Sequence, residues 1–179
     1  SNALIRKNEV KKIDYDTVFY FNLVVSGILY IFLYLLSPAI SSFFKEPVLI
    51  EVTRVISWIL IINALGIIPR TIFIINVDFK VQTKASLISS LVSGIVGISM
   101  ALFGLGVWSL VGQQLSRQLL NTFFLWFYCR WRPAWEFSIE SFKEMFGFGS
   151  KLLVSGLIDT IYKNIYYIVI GRFYDPDQL

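Results

Sequence analysis

The stretch TVFYFNLVVSGILYIFLYLLSPAISSFF (residues 17–44) contains no charged side chain. A helix needs about 20 mostly apolar residues to cross the hydrocarbon core of a bilayer, because each residue advances it by about 1.5 Å. The central part, Phe19–Ile40, is therefore predicted to be a transmembrane helix. Pro38 lies near its end, where the helix is expected to finish.

The composition of the whole chain agrees with a membrane protein. Apolar residues make up 56% and charged residues 16% of the 179 residues, against about 45–50% and about 25% in soluble domains. The apolar surface of such a chain exceeds what a soluble domain of this size can bury. The chain is also too apolar to be disordered. Cys129 is the single cysteine and histidine is absent, so a zinc site, a disulfide scaffold or a histidine-based catalytic triad is not expected. A glycine-rich phosphate loop is also missing from the sequence, and we predict neither enzymatic activity nor a cofactor.

Four further stretches predict transmembrane helices, which makes about five in an all-α, polytopic helix bundle. The 45-residue stretch from 85 to 129 contains one charge and suits two spans, with a turn supplied by Gly104 and Gly106. The predicted spans are Val52–Ile74, Ala85–Phe103, Val107–Tyr128 and Lys151–Ile170.

The segments between the spans predict an orientation. With the N-terminus in the cytoplasm, most of the lysine and arginine residues fall in inner segments, whereas Lys45 and Arg172 fall in outer ones, as the positive-inside rule requires. Because the basic residues are spread over loops, a nucleic-acid partner is not expected. We predict a cytoplasmic segment at 4–16, four spans at 17–130, an inner connection at 131–150, a fifth span at 151–172 and a truncated external segment at 173–179, after a tag remnant at 1–3.

Two segments carry local packing signals. Ser138 is a plausible N-cap of a short helix at 138–148, which is predicted to lie on the membrane surface and to end at Gly147 or Gly149. Small residues that recur every four positions in the third span predict the close approach of another helix. They are Ser89, Ser93, Gly97 and Ala101, with a parallel row at Ser86, Ser90 and Gly94.

Polar side chains inside predicted spans are the candidates for function, because ionisable groups are costly in hydrocarbon. Arg54, near the outer end of the second span, is expected only to extend to the surface. In the fourth span, polar residues recur at i, i+3, i+4 and i+7 and so share one helix face. That face belongs against a water-filled cavity or in a buried polar network, and it consists of Gln114, Arg117, Gln118 and Asn121.

The fifth span has a polar face of its own. Asp159 and Lys163 are four residues apart with the acid first, which favours an ion pair on the helix. Ser155, Tyr162 and Tyr166 share this face. The pair can serve only to neutralise its own two charges. Alternatively, it can form part of a polar wall that binds an anionic ligand in place of the internal ion pair.

The order and spacing of several short stretches resemble the Wzx-type polysaccharide flippases, especially the WzxC-like exporters of the multidrug/oligosaccharidyl-lipid/polysaccharide exporter superfamily. The resemblance covers nearly the whole chain. It is carried by Ala3–Lys7, Ser41–Phe44, Asp78–Lys80, Ser89–Gly97, Gly106–Val111, Trp131–Pro133, Phe148–Lys151 and Asn164–Tyr166.

The resemblance implies a fragment of a longer, two-lobe exporter around a central cavity, with this chain as its third to seventh helices. Residues 17–130 would then belong to the first lobe, 131–150 would connect the lobes, and 151–172 would open the second lobe. Such proteins reside in the bacterial inner membrane and flip an oligosaccharide linked to a polyprenyl diphosphate from the inner to the outer leaflet, in several cases with a coupling ion. The expected partners are this lipid-linked oligosaccharide and membrane lipids, and Arg117 and Lys163 suit a diphosphate. Two alternatives stay open: a drug or cation antiporter of the same superfamily, and a membrane assembly subunit without transport.

Overall fold

The computed structural model describes residues 11–173, without the side chains of residues 144–145, 148–149, 151–153 and 166–173. The predicted tag remnant, residues 4–10 of the cytoplasmic segment, residues 174–179 and the side chain of Tyr166 therefore lie outside the described part. Between residues 11 and 173 the regular structure is all helical. The helices are α1 (Lys12–Phe44), α2 (Leu49–Ile56), α3 (Trp58–Ile75), α4 (Phe79–Leu102), α5 (Val107–Tyr128) and α6 (Ile139–Phe173).

The first predicted span lies inside the longer helix α1. The helix begins where the backbone N–H of Lys11 donates to Asp14 Oδ2 at 2.9 Å, and it ends at Lys45, which adopts the left-handed conformation (φ 60°). Pro38 lies inside the helix rather than at its end. Proline cannot donate to the carbonyl four residues earlier, and the Ser37 hydroxyl donates to that Tyr34 carbonyl instead, at 2.8 Å.

The second predicted span consists of two helices, α2 and α3, with Ser57 between them. Arg54 in α2 does more than extend to the surface. Its Nε donates to Ser37 Oγ at 3.0 Å, and its guanidinium lies 4.3 Å from the centroid of the Tyr34 ring. Because Ser37 and Tyr34 belong to α1, the arginine links α2 to α1 through a hydrogen bond and a cation–π contact.

Helices α4 and α5 form a closely packed hairpin, as the small residues predict. Gly104 and Gly106, both with positive φ, make the turn. Ser89, Ser93 and Gly97 are buried. A Cβ atom on Gly97 would lie 3.0 Å from Gln113 Cβ of α5, so a larger residue at position 97 would crowd the Gln113 side chain.

The surface helix predicted at 138–148 does not end at Gly147 or Gly149. It continues into the fifth predicted span as the single helix α6, since one glycine inside a helix costs only about 1 kcal/mol relative to alanine. The predicted N-cap is confirmed, because Ser138 Oγ accepts from the backbone N–H of Ser141 at 3.3 Å. The first turns of α6 pack on α1, with the Phe142 and Phe21 ring centroids 4.9 Å apart, whereas residues 154–165 are exposed.

Three of the five predicted spans are long and apolar enough to cross a membrane: α1, the combined stretch Leu49–Ile75, and α4. Their outer faces expose large apolar side chains, including Ile28 and Leu35 of α1 and Leu91 and Ile95 of α4. Such surfaces are stable in lipid and unfavourable in water. The helices α5 and α6 fall short of the same apolar composition because they contain the polar faces described above.

Two clusters of buried apolar side chains lie at the end of the bundle that the predicted orientation places on the cytoplasmic side. Phe19 and Ile68 form one apolar cluster there, and Phe73, Ala85, Leu125 and Cys129 form a second. The connection between α5 and α6 is tied to α1 at this end. Asp16 Oδ1 accepts from the Ala134 N–H at 3.3 Å, and Thr17 Oγ1 accepts from the Ser138 N–H at 3.0 Å.

Replacing Thr17 by Val is expected to lower the free energy of unfolding by about 1–3 kcal/mol, because it leaves the Ser138 N–H without its acceptor beside a buried side chain. Thr160→Val is the matched control. Thr160 is exposed and its hydroxyl donates only within its own helix, to the Gly156 carbonyl. Thermal unfolding of the full-length protein in detergent measures both variants. Equal melting temperatures for the two would contradict the role of Thr17 in holding the connection.

Candidate functional site

A cavity of about 330 Å³ lies between α3, α4 and α5. A volume of this size is at the lower end of the range found for ligand pockets. Its walls are mostly polar, although the helices around it are apolar. The lining residues are Arg70 of α3; Gln82, Ser86 and Ser89 of α4; and Gln114, Arg117, Gln118, Asn121 and Leu125 of α5.

The α5 wall contains the whole polar face that the spacing predicted. Gln114, Arg117, Gln118 and Asn121 all line the cavity. Gln118 is also hydrogen-bonded through Nε2 to Asn63 Oδ1 of α3. The helical spacing therefore places these four side chains on one wall, while their role in binding stays a prediction.

The opposite wall contains residues that sequence reasoning did not assign to the site. In the sequence, Arg70 lies near the inner end of the second predicted span, and Gln82 lies in the segment between the second and third predicted spans. The structure joins them, because Gln82 Nε2 donates to the Arg70 carbonyl at 3.0 Å. The position of Arg70 directly after Pro69 was the available signal, since a proline inside a span marks an interruption of regular helix packing.

The spacing of small residues on α4 predicts that the serines of this wall serve helix packing. Ser89 does pack, since it is buried and donates to the Ala85 carbonyl at 2.7 Å. Ser86 is exposed and lines the cavity. Small side chains on α4 thus let α5 approach closely and also leave room beside it.

The cavity has a positive electrostatic character. Arg70 and Arg117 contribute two cationic guanidinium groups. None of the described lining residues has a carboxylate, and neither arginine forms an ion pair with another described residue. The remaining polar groups are amides and hydroxyls, which can donate to an anion or accept from sugar hydroxyls. The arrangement can therefore bind an anionic group with several donors around it.

The polar pair of α6 lies elsewhere. Lys163 Nζ and Asp159 Oδ2 form the predicted ion pair at 2.7 Å, with side-chain exposures of 68% and 58%. Neither residue lines the cavity, and Ser155 and Tyr162 on the same helix are exposed. The described structure thus brings together four of the six predicted site residues and leaves Asp159 and Lys163 on a separate, uncovered helix face.

Comparisons with known proteins place the chain among polysaccharide-related proteins. A family model described as "Polysaccharide biosynthesis protein" matches residues 1–179. The chain is 26% identical over 180 residues to the teichuronic acid biosynthesis protein TuaB of Bacillus subtilis (strain 168), covering 99% of this chain and 37% of that protein. It is 20% identical over 173 residues to the succinoglycan biosynthesis transport protein ExoT of Rhizobium meliloti (strain 1021), covering 97% of this chain and 35% of that protein. No solved structure has significant similarity to it.

Proposed function

Because this chain belongs to the polysaccharide biosynthesis protein family, we propose that it is part of an exporter that moves a lipid-linked oligosaccharide across the bacterial inner membrane. The substrate is an oligosaccharide attached to a polyprenyl diphosphate, and the exporter flips it from the inner to the outer leaflet by alternating access. The names of the relatives, which concern teichuronic acid and succinoglycan, support a polysaccharide precursor as the cargo.

The cavity with two arginines is the observation that carries this proposal. A diphosphate has several anionic oxygens, and a guanidinium can donate two parallel hydrogen bonds to such a group. Arg70 and Arg117 line the same cavity without a carboxylate among the described lining residues. A cavity of this charge disfavours a drug or cation antiporter, which needs an acidic site.

Asp159 and Lys163 have a separate place in the proposal. Residues 17–130 belong to a first lobe, 131–150 connect the lobes on the cytoplasmic side, and 151–172 begin a second lobe. In this arrangement the exposed face of α6 lines the substrate path on the side opposite the cavity. When the substrate arrives, Lys163 gives up its ion pair with Asp159 and binds the diphosphate instead. The high exposure of both side chains supports this step, because an ion pair in contact with water is weak and easily exchanged.

Cells that lack the full-length gene provide the direct test. Lipid-linked oligosaccharides are labelled, and a membrane-impermeant reagent then reports which leaflet contains them. We expect accumulation on the inner face and return to the outer face when the intact gene is restored. Normal delivery to the outer face would contradict the proposal, and the same cells would then be assayed for drug and cation efflux.

A further inference from the structure

Pro69 interrupts the hydrogen bonding of α3 one residue before the cavity arginine Arg70. It is fully buried and lies inside the helix. Proline has no N–H, so the carbonyl of Leu65, four residues earlier, loses its normal partner in the helix. An unpaired carbonyl away from water is costly, and a replacement donor is therefore expected.

The replacement comes from another helix. Trp126 Nε1 of α5 donates to the Leu65 carbonyl at 2.9 Å. The proline of α1 is a useful contrast, because the Tyr34 carbonyl freed by Pro38 accepts from Ser37 of the same helix. Of these two repairs, only the one at Pro69 uses a donor from another helix.

Trp126 is itself held in place at the inner end of the bundle. Its ring makes an edge contact with Phe19 at a centroid distance of 6.2 Å and lies 5.8 Å from Trp131. The guanidinium of Arg132 lies 5.7 Å from the Trp126 ring centroid. These contacts fix the indole with its N–H directed at α3, so the donor is preorganised rather than flexible.

Helices α3 and α5 are also hydrogen-bonded to each other one turn before Trp126. Thr122 Oγ1 donates to the Ile62 carbonyl at 3.3 Å, and a Cβ atom on Gly66 would lie 2.8 Å from Thr122 Oγ1. The cavity residue Leu125 lies between Thr122 and Trp126 in sequence. The part of α3 that leads to Arg70 is thus attached to the helix that contains Arg117.

We propose that Trp126 is a positioning residue of the cavity. By replacing the hydrogen bond that Pro69 removes, it fixes the direction of α3 beyond the proline and holds Arg70 opposite Arg117. The expected effect on export rests on the proposed function. The exchange of the helix hydrogen bond that Pro69 removes for the one that Trp126 donates does not depend on that function.

A double-mutant cycle in the full-length protein tests the exchange. Trp126→Phe removes the donor but keeps an aromatic ring, and Pro69→Ala restores an N–H that can bond to the Leu65 carbonyl. We expect Trp126→Phe to lower the melting temperature by roughly 1–3 °C, with a much smaller decrease when position 69 is already alanine. Trp135→Phe, at a 94% exposed side chain, and Pro38→Ala are the matched controls. Equal decreases in both backgrounds would overturn the inference.

Export by the same variants tests the positioning role. We expect Trp126→Phe to reduce export roughly five-fold, as for the loss of one hydrogen bond, through a higher half-saturating substrate concentration, and Pro69→Ala to restore it. A merely structural role would instead lower the amount of folded protein and leave the half-saturating substrate concentration unchanged. If Trp126→Phe exports normally while the separate variant Arg117→Gln is defective, only the positioning role is overturned. Normal export by both would instead count against the proposed function.

Discussion

Export of the lipid-linked oligosaccharide is expected to fall about 10- to 100-fold when Arg117 is replaced by Gln. A hydrogen bond to a charged group contributes about 1.5–3 kcal/mol, and 1.4 kcal/mol corresponds to a factor of ten. Arg117 is exposed in the cavity and forms no ion pair with another described residue. Its loss should therefore leave the melting temperature and the amount of protein in the membrane unchanged. Leaflet-specific labelling in cells that carry the variant measures the effect.

Two further variants separate binding from net charge. Arg130→Gln makes the same charge change at an exposed residue that does not line the cavity, and it should export normally. Arg117→Lys keeps the charge but loses the planar fork of donors, so an intermediate rate is expected. Full export by Arg117→Gln, with normal protein levels, would remove this arginine from the site. A loss of protein from the membrane, rather than of export, would instead favour an assembly role.

The second large effect is expected at Lys163. Replacement by Gln should reduce export by a similar factor, because the proposal makes Lys163 the cation that α6 brings to the diphosphate. The structure predicts almost no effect on stability. Lys163 and Asp159 are more than half exposed, and an ion pair on an exposed helix contributes at most about 1 kcal/mol. Export and thermal stability, measured on the same preparation, therefore distinguish the functional role from simple charge neutralisation.

Asp159→Asn is the informative companion to Lys163→Gln. It removes the internal partner but leaves the cation available, so export should be retained to a much greater extent. If the pair only neutralises itself, both variants should export as the unaltered protein does. If both lose export equally, the pair acts as a unit and the proposed exchange with the diphosphate is wrong.

Much of the local structure could be predicted because it depends on neighbouring residues. The charge-free run after Asp16 predicts a membrane helix whatever packs against it. Gly104 and Gly106 predict the hairpin, since few other residues adopt positive φ without strain. The spacing of Gln114 to Asn121 places four polar side chains on one face, because an α-helix repeats every 3.6 residues. These conclusions require only the chain's own geometry and its solvent.

Other features could not be read from local pattern. The break at Ser57 divides an apolar run that predicted a single span, and α6 continues through Gly147 and Gly149, where glycine was expected to end the helix. Helix boundaries of this kind depend on small energy differences, about 1 kcal/mol for one glycine, which tertiary contacts easily outweigh. Arg54 was expected to have no specific role, yet it bonds to Ser37, seventeen positions earlier.

Composition and periodicity are sufficient to predict a bundle of apolar helices with a cationic polar face on α5. What lies opposite that face depends on how the helices pack against one another. Arg70 and Gln82 come from two other helices, and the donor that repairs the helix at Pro69 lies 61 positions away from the carbonyl it serves. Contacts between residues so far apart depend on how whole helices pack, and no local pattern along the chain encodes them.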